Sequence, residues 1–599
     1  MTTETEISDL AEILAINGRK YAGKTALLHQ GQNGTTAITY KQMFRRTEAF
    51  AAGLQQEELR ELDRVALLMP NGPWWITAYY GILRTGAVAV PLEYEFLDSS
   101  PELVLYALRH SESRGVIVKS DDRDKVADLV SDLRIRLLTA ENISRTDCSA
   151  ETVSPDPEEP AQILYTSGTT GRKKGVVLTH HNVLANVAAC CQRFKVHPSD
   201  CLPAILPHHH AYPLTTTVIL PFYAGARMAV GDVKNRRTSD FIRSVKPTVF
   251  VGVPRVFEAL LSGIETAAAR EDALKKLRKT ENLSGTIKKW TGVNIGPILF
   301  RTLHKKLFGG AQLRFCVSGG ARLDPQLLRR YLRLGIPLVQ GWGMTELSPV
   351  GTVQKFSRWR FLFTRHYEKL AGTIGLPLKN TEIYLADVPE QDVIVDRDKQ
   401  GEMLIKGPQV MKSYYKDPDE TARAKSPAGL RSGDIARRDS AGRYRIVGRS
   451  KHVIVLPGGK KVFPEEDLAP ALAACPTIDE FTVRAIQNRD GEEQIGVIIK
   501  PDEETIARRK IRTHGQLYKK LKSELNAALE NKPDYLRRFD FCVTELEDGE
   551  FRELDKNSMK DPSPLKNEFR FEYAWSTRDE RDAEREIALS QPEGTEGDL

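Results

Sequence analysis

Short apolar runs alternate with longer amphipathic segments from about residue 36 to residue 251. The apolar runs are rich in valine and isoleucine and read RVALLM, AVAVPL, RGVIV and PTVFVGV. The segments between them, such as KQMFRRTEAFAAGLQQ and ELVLYALRHS, repeat apolar residues every three to four positions, which is typical of a helix that packs along one face. Buried strands that alternate with helices predict βαβ units, and therefore a largely parallel sheet with helices on both faces.

The pattern changes beyond residue 400. GEMLIKG predicts a short strand, and ARRDSAGRYRIVGR predicts a hairpin because D-S-A-G lies between two strand-like pieces. The acidic, proline-rich segment at 147–160 predicts a linker that leads into the strand AQILYT. We expect a large N-terminal α/β domain over residues 1–448, a small α+β domain over 449–570 and a charged tail over 571–599.

Composition narrows the function classes. The 599 residues are 28% charged with a net charge of only +7, and the basic residues are interleaved with 80 acidic ones, so no nucleic-acid partner is expected. Seven cysteines without a C-x-x-C pair argue against a disulfide framework and a zinc site. The stretch MTTETEISDLAEILAING lacks the apolar core of a signal peptide, and no run reaches the roughly 18 to 20 apolar residues of a spanning helix, so a cytoplasmic location is expected.

The stretch ILYTSGTTGRKKG at 163–175 carries the first candidate chemistry. Backbone N–H groups of a glycine-rich turn, together with serine and threonine hydroxyls, can surround phosphate oxygens, and Lys173 or Lys174 can neutralise their charge. The stretch does not match the common phosphate loop, G-x-x-x-x-G-K-[ST]. By itself it is also compatible with a flexible polar loop.

Four further motifs follow in order along the chain: FCVSGGARL, QGWGMTE, LRSGDIARRDSAGRYRIVGRSK and IVLPGGKKVFPEE. Together with ILYTSGTTGRKKG they resemble the adenylate-forming superfamily, from roughly residue 25 to residue 545. That superfamily contains acyl-CoA synthetases, luciferases and peptide-synthetase adenylation domains. The resemblance implies an α/β fold of the acyl-CoA synthetase and luciferase kind: a large N-terminal α/β domain of several subdomains with a small mobile α+β C-terminal domain.

The resemblance also implies roles for individual residues. The loop residues assigned to ATP phosphates are Thr166, Ser167, Gly168, Thr169, Thr170, Gly171 and Lys174. The residues assigned to the nucleoside are Gly320, Ala321, Gly341, Trp342 and Gly343 beside the adenine, and Asp434 and Arg449 at the ribose. Thr345 would bond a phosphate, Glu346 matches the Mg²⁺ ligand, and Lys451 matches the hinge of the small domain. Core packing is the alternative for Trp342.

Several segments resemble the long-chain fatty acyl-CoA synthetases, and the bacterial type most closely. LPHHHAYPLT places His210 at the position that lines the route of carboxylate and thiol, VGVPRVFEALL resembles a V-P-R-V-[FY]-E segment, and Gly458 and Gly459 match the loop that meets pantetheine. The resemblance implies that a fatty acid, ATP, Mg²⁺ and CoA are used. An acyl carrier protein acting in trans, with its phosphopantetheine thiol, would use much the same machinery.

Two stretches depart from an ordinary solvated surface. The insertion at 262–312 is helical in pattern and basic, which fits an anionic membrane as well as a solvated helical face. KFSRWRFLFTRHYEKL at 355–370 mixes aromatic and cationic residues in a way suited to an interface, and burial against the small domain would explain it equally. Peripheral contact with the inner face of a membrane is therefore one interpretation of both stretches.

The C-terminal lysine motif of the family is altered. Members carry P-x-T-x-x-G-K-[IL]-x-R or T-x-K-[IL]-K-R, whose lysine bridges the carboxylate and the α-phosphate, whereas this chain reads EDGEFRELDKNSMKDP. Arg552 aligns with that lysine if the phenylalanine is matched, and Lys556 is the nearest lysine. Three hypotheses follow: an active ligase that uses Lys556 or Arg552, an enzyme that mainly runs the second half-reaction or another acyl transfer, or a member that binds ligand without turnover.

Overall fold

The computed structural model describes residues 7–31, 34–143, 150–151, 153–166, 173–231, 238–310, 313–363, 365–386, 400–457, 460–487, 493–511, 514–537, 539–543, 546–547 and 550–551. Its residues group into two compact units. The first comprises Met1–Tyr384, Leu404–Ser432 and Arg438–Arg445, and the second comprises Leu385–Met403, Gly433–Arg437 and Ile446–Leu599. The expected domain limits at 448 and 570 stay a prediction.

The strands, in chain order, are β1 (Thr25–Gly31), β2 (Gly34–Thr39), β3 (Arg64–Leu67), β4 (Val88–Pro91), β5 (Gly115–Val118), β6 (Arg136–Thr139), β7 (Pro160–Thr166), β8 (Lys174–Thr179), β9 (Cys201–Ala204), β10 (Arg227–Val230), β11 (Val249–Gly252), β12 (Phe315–Ser318), β13 (Leu338–Gly343), β14 (Val350–Val353), β15 (Leu376–Pro377), β16 (Glu382–Ala386), β17 (Gln400–Lys406), β18 (Ser413–Tyr414), β19 (Lys425–Ser426), β20 (Gly429–Arg438), β21 (Tyr444–Arg449), β22 (Ile454–Leu456), β23 (Lys460–Val462), β24 (Ile478–Gln487), β25 (Glu493–Pro501), β26 (Phe539–Val543), β27 (Leu546–Glu547) and β28 (Glu550–Phe551).

The α-helices, in chain order, are α1 (Glu12–Lys20), α2 (Tyr40–Gln56), α3 (Pro73–Arg84), α4 (Phe96–Ser99), α5 (Pro101–Ser111), α6 (Arg123–Leu129), α7 (Ala140–Ile143), α8 (His180–Phe194), α9 (Ala211–Pro213), α10 (Leu220–Tyr223), α11 (Thr238–Val245), α12 (Pro254–Arg270), α13 (Leu274–Thr291), α14 (Gly296–Leu299), α15 (Arg301–Phe308), α16 (Pro325–Arg333), α17 (Arg358–Phe363), α18 (Pro418–Ala424), α19 (Pro464–Asp467), α20 (Ala469–Leu472), α21 (Glu503–Arg508) and α22 (His514–Leu529). A π-helical segment covers Leu214–Ile219, and 3₁₀ turns include Thr345–Leu347 and Ser450–His452.

The largest sheet has seven strands in the order β18-β8-β7-β4-β3-β5-β6. The strands β7, β4, β3, β5 and β6 are parallel to one another, and β8 and β18 add to one edge in antiparallel pairs. Apolar side chains of β4 and β5 pack with those of α5 and α6 in one buried cluster, which includes Val90, Val118, Val104 and Val126. The continuous apolar runs of the central strands follow from burial on both faces.

Two further sheets complete most of the first unit. One has the order β2-β1-β10-β9, and the other has the order β11-β12-β13-β14-β15. The four apolar runs predicted one parallel sheet, but they belong to two sheets. β3, β4 and β5 lie in the seven-stranded sheet, whereas β11 pairs with β12 in another sheet. Strand pairing between distant segments is a tertiary choice that local apolar pattern does not encode.

The predicted hairpin at D-S-A-G is confirmed. β20 ends at Arg438 and β21 begins at Tyr444, while Asp439 N donates to Arg443 O at 2.9 Å and Gly442 takes the left-handed conformation with φ +75°. These strands belong to a sheet in the order β16-β17-β20-β19, with β21 on β20.

The second unit has a core of its own. β24 and β25 are antiparallel and β26 adds parallel to β25. Four leucines at every fourth position of α22 (Leu517, Leu521, Leu525 and Leu529) are buried with the apolar residues of β25, because four-residue spacing keeps side chains on one face of a helix.

The predicted basic insertion is helical. It contains most of α12, all of α13 and the short helices α14 and α15. The stretch at 355–370, which mixes aromatic and cationic residues, contains α17 and the 3₁₀ turn His366–Leu370.

Candidate functional site

The hairpin of β7 and β8 brings together the two ends of the predicted phosphate loop. Thr166, the last residue of β7, lies opposite Lys174, the first residue of β8. Ile163 of β7 and Val177 of β8 are buried in the apolar cluster of the large sheet, and they anchor both strands of the hairpin there. The loop residues Ser167, Gly168, Thr169, Thr170 and Gly171 are outside the described residues.

Lys174 lies in a shielded environment. Its ammonium group pairs with the carboxylate of Glu420, and the side chains of the two residues are only 14% and 22% exposed. The same ammonium group lies 5.2 Å from the centre of the Tyr414 ring. A phosphate that approaches Lys174 therefore competes with Glu420 for a cation that is already close to an acid.

Tyr414 connects Lys174 to the predicted metal ligand. The phenol of Tyr414 donates to Oε1 of Glu346 at 2.7 Å, and this bond is buried. Burial, followed by the neighbouring Glu346 charge, raises the pKa of Tyr414. The phenol, which an ordinary tyrosine also keeps protonated at neutral pH, fixes one oxygen of the Glu346 carboxylate.

Local structure explains why these side chains meet. β18 pairs with β8, with Tyr414 opposite Val176, and Met411 N donates to Glu346 O at 2.8 Å. The side chain of Asp417 accepts from Glu420 N at 3.0 Å, which caps α18 and places Glu420 in its first turn.

Lys173 points to different neighbours from Lys174. Its ammonium group lies 3.9 Å from the centre of the Phe96 ring, and Tyr106 donates its hydroxyl to Lys173 O at 2.9 Å. Burial lowers the pKa of Lys173, and Glu93 opposes that effect. Of the two lysines in the motif, Lys174 is thus the one that joins the cluster around Glu346.

The S-G-G-A turn follows β12 directly. Gly320 has φ +77°, a conformation that favours glycine, and Gly320 and Ala321 are exposed. A Cβ on Gly319 would lie 2.6 Å from Cζ of Tyr212, so the tyrosine ring packs against this glycine. The buried hydroxyl of Ser318 has no hydrogen-bond partner within the described part of the chain.

Trp342 is predicted either to lie beside the adenine or to pack in the core, and its surroundings have features of both. It is half-buried in β13, opposite Thr352 of β14, and a Cβ on Gly351 would lie 2.7 Å from Cζ3 of its ring. One part of the indole is thus packed on the backbone of β14 while another part remains accessible. Gly341 is buried in the same strand, and a Cβ on Gly343 would fall 1.9 Å from Pro349 O, so that position needs glycine.

The turn that carries Thr345 and Glu346 is fixed from a neighbouring helix. Asn186 of α8 is buried, and its Nδ2 donates to Leu347 O at 3.0 Å and to Val350 O at 2.7 Å. Thr345 is half-buried at the start of this turn, and its carbonyl accepts from Ser348 N at 3.1 Å.

The three histidines of LPHHHAYPLT have different environments. His208 is fully buried with its ring edge-on to Trp75, and burial lowers its pKa to about 3. His209 is half-buried, and its Nε2 lies 3.9 Å from Oε2 of Glu93. His210, the predicted site residue, is exposed, and its ring centre lies 4.1 Å from that of His209.

The second unit holds the predicted ribose residues together. Arg449 Nε lies 3.0 Å from Oδ1 of Asp434, whose side chain is 10% exposed. The preceding Gly433 has φ +70°, and its N–H donates to Glu402 at 3.0 Å. Lys451 is exposed in the turn that follows β21.

The remaining predicted residues are Gly458, Gly459, Arg552 and Lys556, which are outside the described residues.

Comparison with known proteins places the chain in a family. The model of the family described as AMP-binding enzyme matches residues 14–415, about two thirds of the chain. The chain belongs to the AMP-binding enzyme family. The predicted resemblance is thereby confirmed.

Three curated relatives of this AMP-binding enzyme carry names from acyl activation. The peroxisomal long chain acyl-CoA synthetase 7 of Arabidopsis thaliana is 28% identical over 75% of the chain, which spans 66% of that relative. The long-chain-fatty-acid–CoA ligase of Yersinia pestis is 26% identical over 85% of the chain and 89% of the relative. A chloroplastic long-chain-fatty-acid–acyl-carrier-protein ligase of Arabidopsis thaliana is 26% identical over 84% of the chain and 78% of the relative.

Solved structures share the fold. ATP-bound MatB from Rhodopseudomonas palustris superposes with a TM-score of 0.69 at 21% identity, covering 89% of this chain and 95% of that protein. The o-succinylbenzoate CoA synthetase MenE from Bacillus subtilis, in complex with an acyl-adenylate, has a TM-score of 0.69 at 19% identity, covering 92% and 98%. The predicted α/β fold of the acyl-CoA synthetase kind is confirmed.

Four residues at this site carry no prediction from the sequence: Tyr414, Glu420, Asn186 and Tyr212. The stretch SYYKDPDET contains a usable signal for Glu420, because Asp417 and Pro418 mark a helix start and place Glu420 in the first turn. The bonds of Asn186 and the packing of Tyr212 depend on segments more than 60 residues away, which local pattern does not reveal.

The Glu346 carboxylate fits the habit of Mg²⁺, which is bound by one or two carboxylates together with substrate phosphates. Its oxygen donors are hard, it is largely buried, and Tyr414 orients it. Within the described ranges, no group of three or more His, Cys, Asp or Glu side chains could hold a metal ion. No helix in those ranges is long and apolar enough to span a membrane.

Proposed function

We propose that this AMP-binding enzyme activates a medium- to long-chain fatty acid with ATP and then forms its thioester with CoA. The observation that carries the proposal is the buried cluster of Lys174, Tyr414 and Glu346, in which the end of the predicted triphosphate loop meets the predicted Mg²⁺ ligand. The long-chain names of two CoA-dependent relatives support the substrate class.

The first half-reaction joins the carboxylate to the nucleotide. A carboxylate oxygen attacks the α-phosphorus of ATP, a new P–O bond forms, and pyrophosphate leaves with the electron pair of the broken P–O bond. Charge gathers on the phosphate oxygens during this exchange, so fixed donors and cations that hold them lower the barrier. We assign this task to Thr166, the loop residues Ser167 to Gly171, Lys174 and Thr345.

Mg²⁺ bound at Glu346 would neutralise part of the phosphate charge. Tyr414 keeps that carboxylate oriented, since its phenol occupies one oxygen at 2.7 Å. Glu420 has a different task. It neutralises the Lys174 ammonium group until phosphate oxygens replace it.

The nucleoside residues are proposed as follows. Gly320, Ala321, Gly341, Trp342 and Gly343 surround the adenine, and the two oxygens of Asp434 accept from the ribose hydroxyls. Arg449 supports Asp434 at 3.0 Å and adds donors near the sugar.

The second half-reaction transfers the acyl group. The thiolate of CoA attacks the acyl carbon, a C–S bond forms, and AMP leaves as the mixed-anhydride C–O bond breaks. We assign His210 to the thiol route, Gly458 and Gly459 to pantetheine contact, and Lys451 to the hinge between half-reactions.

Lys556 and Arg552 are the candidates for the cation that bridges carboxylate and α-phosphate. The test measures pyrophosphate release with ATP, Mg²⁺ and fatty acids of increasing chain length, comparing Lys556→Ala with Arg552→Ala. We expect release by the unaltered enzyme and a loss of roughly 100-fold or more in one variant, because a cation at developing charge is typically worth several kcal/mol. The other variant serves as the matched control.

The same assay of pyrophosphate release, combined with detection of the acylated product and of ATP binding, distinguishes two alternative functions. Release of pyrophosphate without CoA thioester, but with acylation of a phosphopantetheinylated carrier protein, would favour the carrier as acceptor, which the name of the chloroplastic relative supports. Binding of ATP without release for any fatty acid would favour a member without turnover, which the altered lysine motif supports. The cytoplasmic location stays a prediction.

A further inference from the structure

The two stretches that depart from an ordinary surface meet in the structure. Arg365 Nη2 donates to Trp290 O at 2.8 Å, and Asn294 N donates to Leu362 O at 2.7 Å. Lys288, buried near the end of α13, donates from Nζ to Phe361 O at 3.3 Å. The end of α13, the segment that leads into α14, and α17 therefore adjoin one another, and α14 contacts α13.

Large apolar side chains are concentrated on these adjoining segments. Five of them define what we name the aromatic face: Trp290 (77% exposed), Ile298 (77%), Leu299 (42%), Trp359 (65%) and Phe363 (51%). The rings of Trp359 and Phe363 are 6.1 Å apart. Of the nine exposed large apolar side chains in the described ranges, seven lie from Leu283 of α13 to Phe363 of α17. Single exposed apolar residues are ordinary, whereas such a concentration marks a surface that contacts something apolar.

The segments that form the aromatic face are strongly basic, although Glu281 and Glu368 lie at their ends. Residues 282–310 and 347–367 together contain nine lysines and arginines and no aspartate or glutamate. Lys289, Arg358, Arg360 and Arg365 are exposed beside the two tryptophans. The pKa of the nearby His366 is lowered by partial burial and then by Arg360, Arg443 and Lys369, which is the effect of a positive local potential.

This combination favours one class of partner. Indole rings prefer the headgroup region of a bilayer, and aliphatic side chains such as Ile298 and Leu299 prefer the acyl boundary beneath it. A surface on which cations outnumber acids is attracted by anionic headgroups. We propose that the aromatic face docks this protein on the surface of an anionic phospholipid bilayer. Acidic groups on a protein partner could also pair with the cations. The combination of exposed indole rings with exposed aliphatic side chains favours a membrane, because a bilayer offers a polar headgroup layer next to an apolar acyl layer.

The test is co-sedimentation of the full chain with vesicles, without ATP or fatty acid. We expect binding to vesicles of phosphatidylcholine mixed with phosphatidylglycerol, weak binding to phosphatidylcholine alone, and weakening by salt, since screening shortens the reach of surface charges. Because no turnover is needed, failure here leaves the proposed ligase activity untouched, and an inactive enzyme can still bind vesicles.

Two variants alter the aromatic face without touching the proposed catalytic residues. Trp290→Ser with Trp359→Ser removes the indoles, and Arg358→Glu with Arg360→Glu reverses two charges. The charge pair should weaken partition into anionic vesicles roughly tenfold or more, given about fivefold per cation at an anionic surface. The indole pair should also weaken it, because membrane binding increases with the apolar area that is buried. The charge pair should also flatten the salt dependence, whereas the indole pair should keep it.

Matched controls use exposed residues elsewhere in the first unit. Tyr384→Ser removes an aromatic side chain that is 48% exposed, and Arg123→Glu with Arg134→Glu reverses two exposed charges. These controls should bind vesicles as the unaltered protein does, and thermal unfolding checks that every variant is folded. Equal binding by the face variants and the unaltered protein would overturn the proposal. So would an unaltered protein that ignores anionic vesicles but forms dimers that the tryptophan pair abolishes, since that face would then be a protein interface.

Discussion

Tyr414 determines how the predicted metal ligand is presented. Glu346 is largely buried, and a buried carboxylate without a donor would be costly and poorly oriented. The phenol, which is protonated at neutral pH as any tyrosine is, supplies that donor at 2.7 Å. Oriented ligands bind metals more tightly, so the residue behind the ligand affects metal binding although it does not contact the metal.

Replacement of Tyr414 by phenylalanine should weaken Mg²⁺ binding at Glu346 and so raise the Mg²⁺ concentration that ATP binding requires. We expect the Mg²⁺ concentration for half-maximal ATP binding, measured by calorimetry, to rise about tenfold, as is typical when the partner of a ligand is lost. Tyr415→Phe is the matched control, because the Tyr415 hydroxyl lies 3.4 Å from the exposed Glu112. An equal Mg²⁺ requirement in both variants would contradict the assigned role of Tyr414.

At the scale of elements, a buried lysine joins two helices. Lys288 of α13 lies beneath α17, with its ammonium group 5.1 Å from the Phe361 ring centre and bonded to Phe361 O. Burial lowers the pKa of Lys288 to about 8, and Glu368 opposes the effect. The contact between α13 and α17 therefore includes an ammonium group whose charged form is disfavoured by burial.

Replacing Lys288 by methionine should change the pH dependence of stability. The folded pKa lies below the unfolded value, so between pH 8 and pH 10.5 the unfolded state binds more protons and the unaltered protein gains stability as pH rises. The unfolding free energy of Lys288→Met relative to the unaltered protein should therefore fall by roughly 1 to 3 kcal/mol over that interval, since one pKa unit is worth about 1.4 kcal/mol. Denaturant unfolding across this range, with the exposed Lys289→Met as control, measures it. A pH-independent difference would show that the amine titrates as it does in the unfolded chain.

At the scale of the whole molecule, each unit has its own apolar core. The core of the second unit joins α22 to β25 and β26, and the core around β4 and β5 consists only of residues of the first unit. Compact units with separate cores can in principle lose structure separately.

Leu521→Ala should loosen the second unit selectively. This side chain is fully buried, so its truncation should cost about 2 to 5 kcal/mol. We expect faster hydrogen exchange in β25 and unchanged exchange in β5. Leu108→Ala on α5 is the reciprocal control, and a uniform loss of protection in both units would contradict separate cores.

The sequence by itself determined the local elements and the family. Apolar periodicity predicted β3, β4, β5 and α5, because such a pattern is a property of neighbouring residues. The motifs and their order along the chain predicted the α/β fold through the family resemblance. Motif residues such as Lys174 and Glu346 were named from the sequence, and their catalytic roles stay predictions. The tertiary structure alone decided the division of parallel strands between sheets, the bonds of Asn186 and Tyr414, and the meeting of α13 with α17. Each of these joins segments far apart in the chain, and such pairing depends on the packing of the whole fold rather than on neighbouring residues.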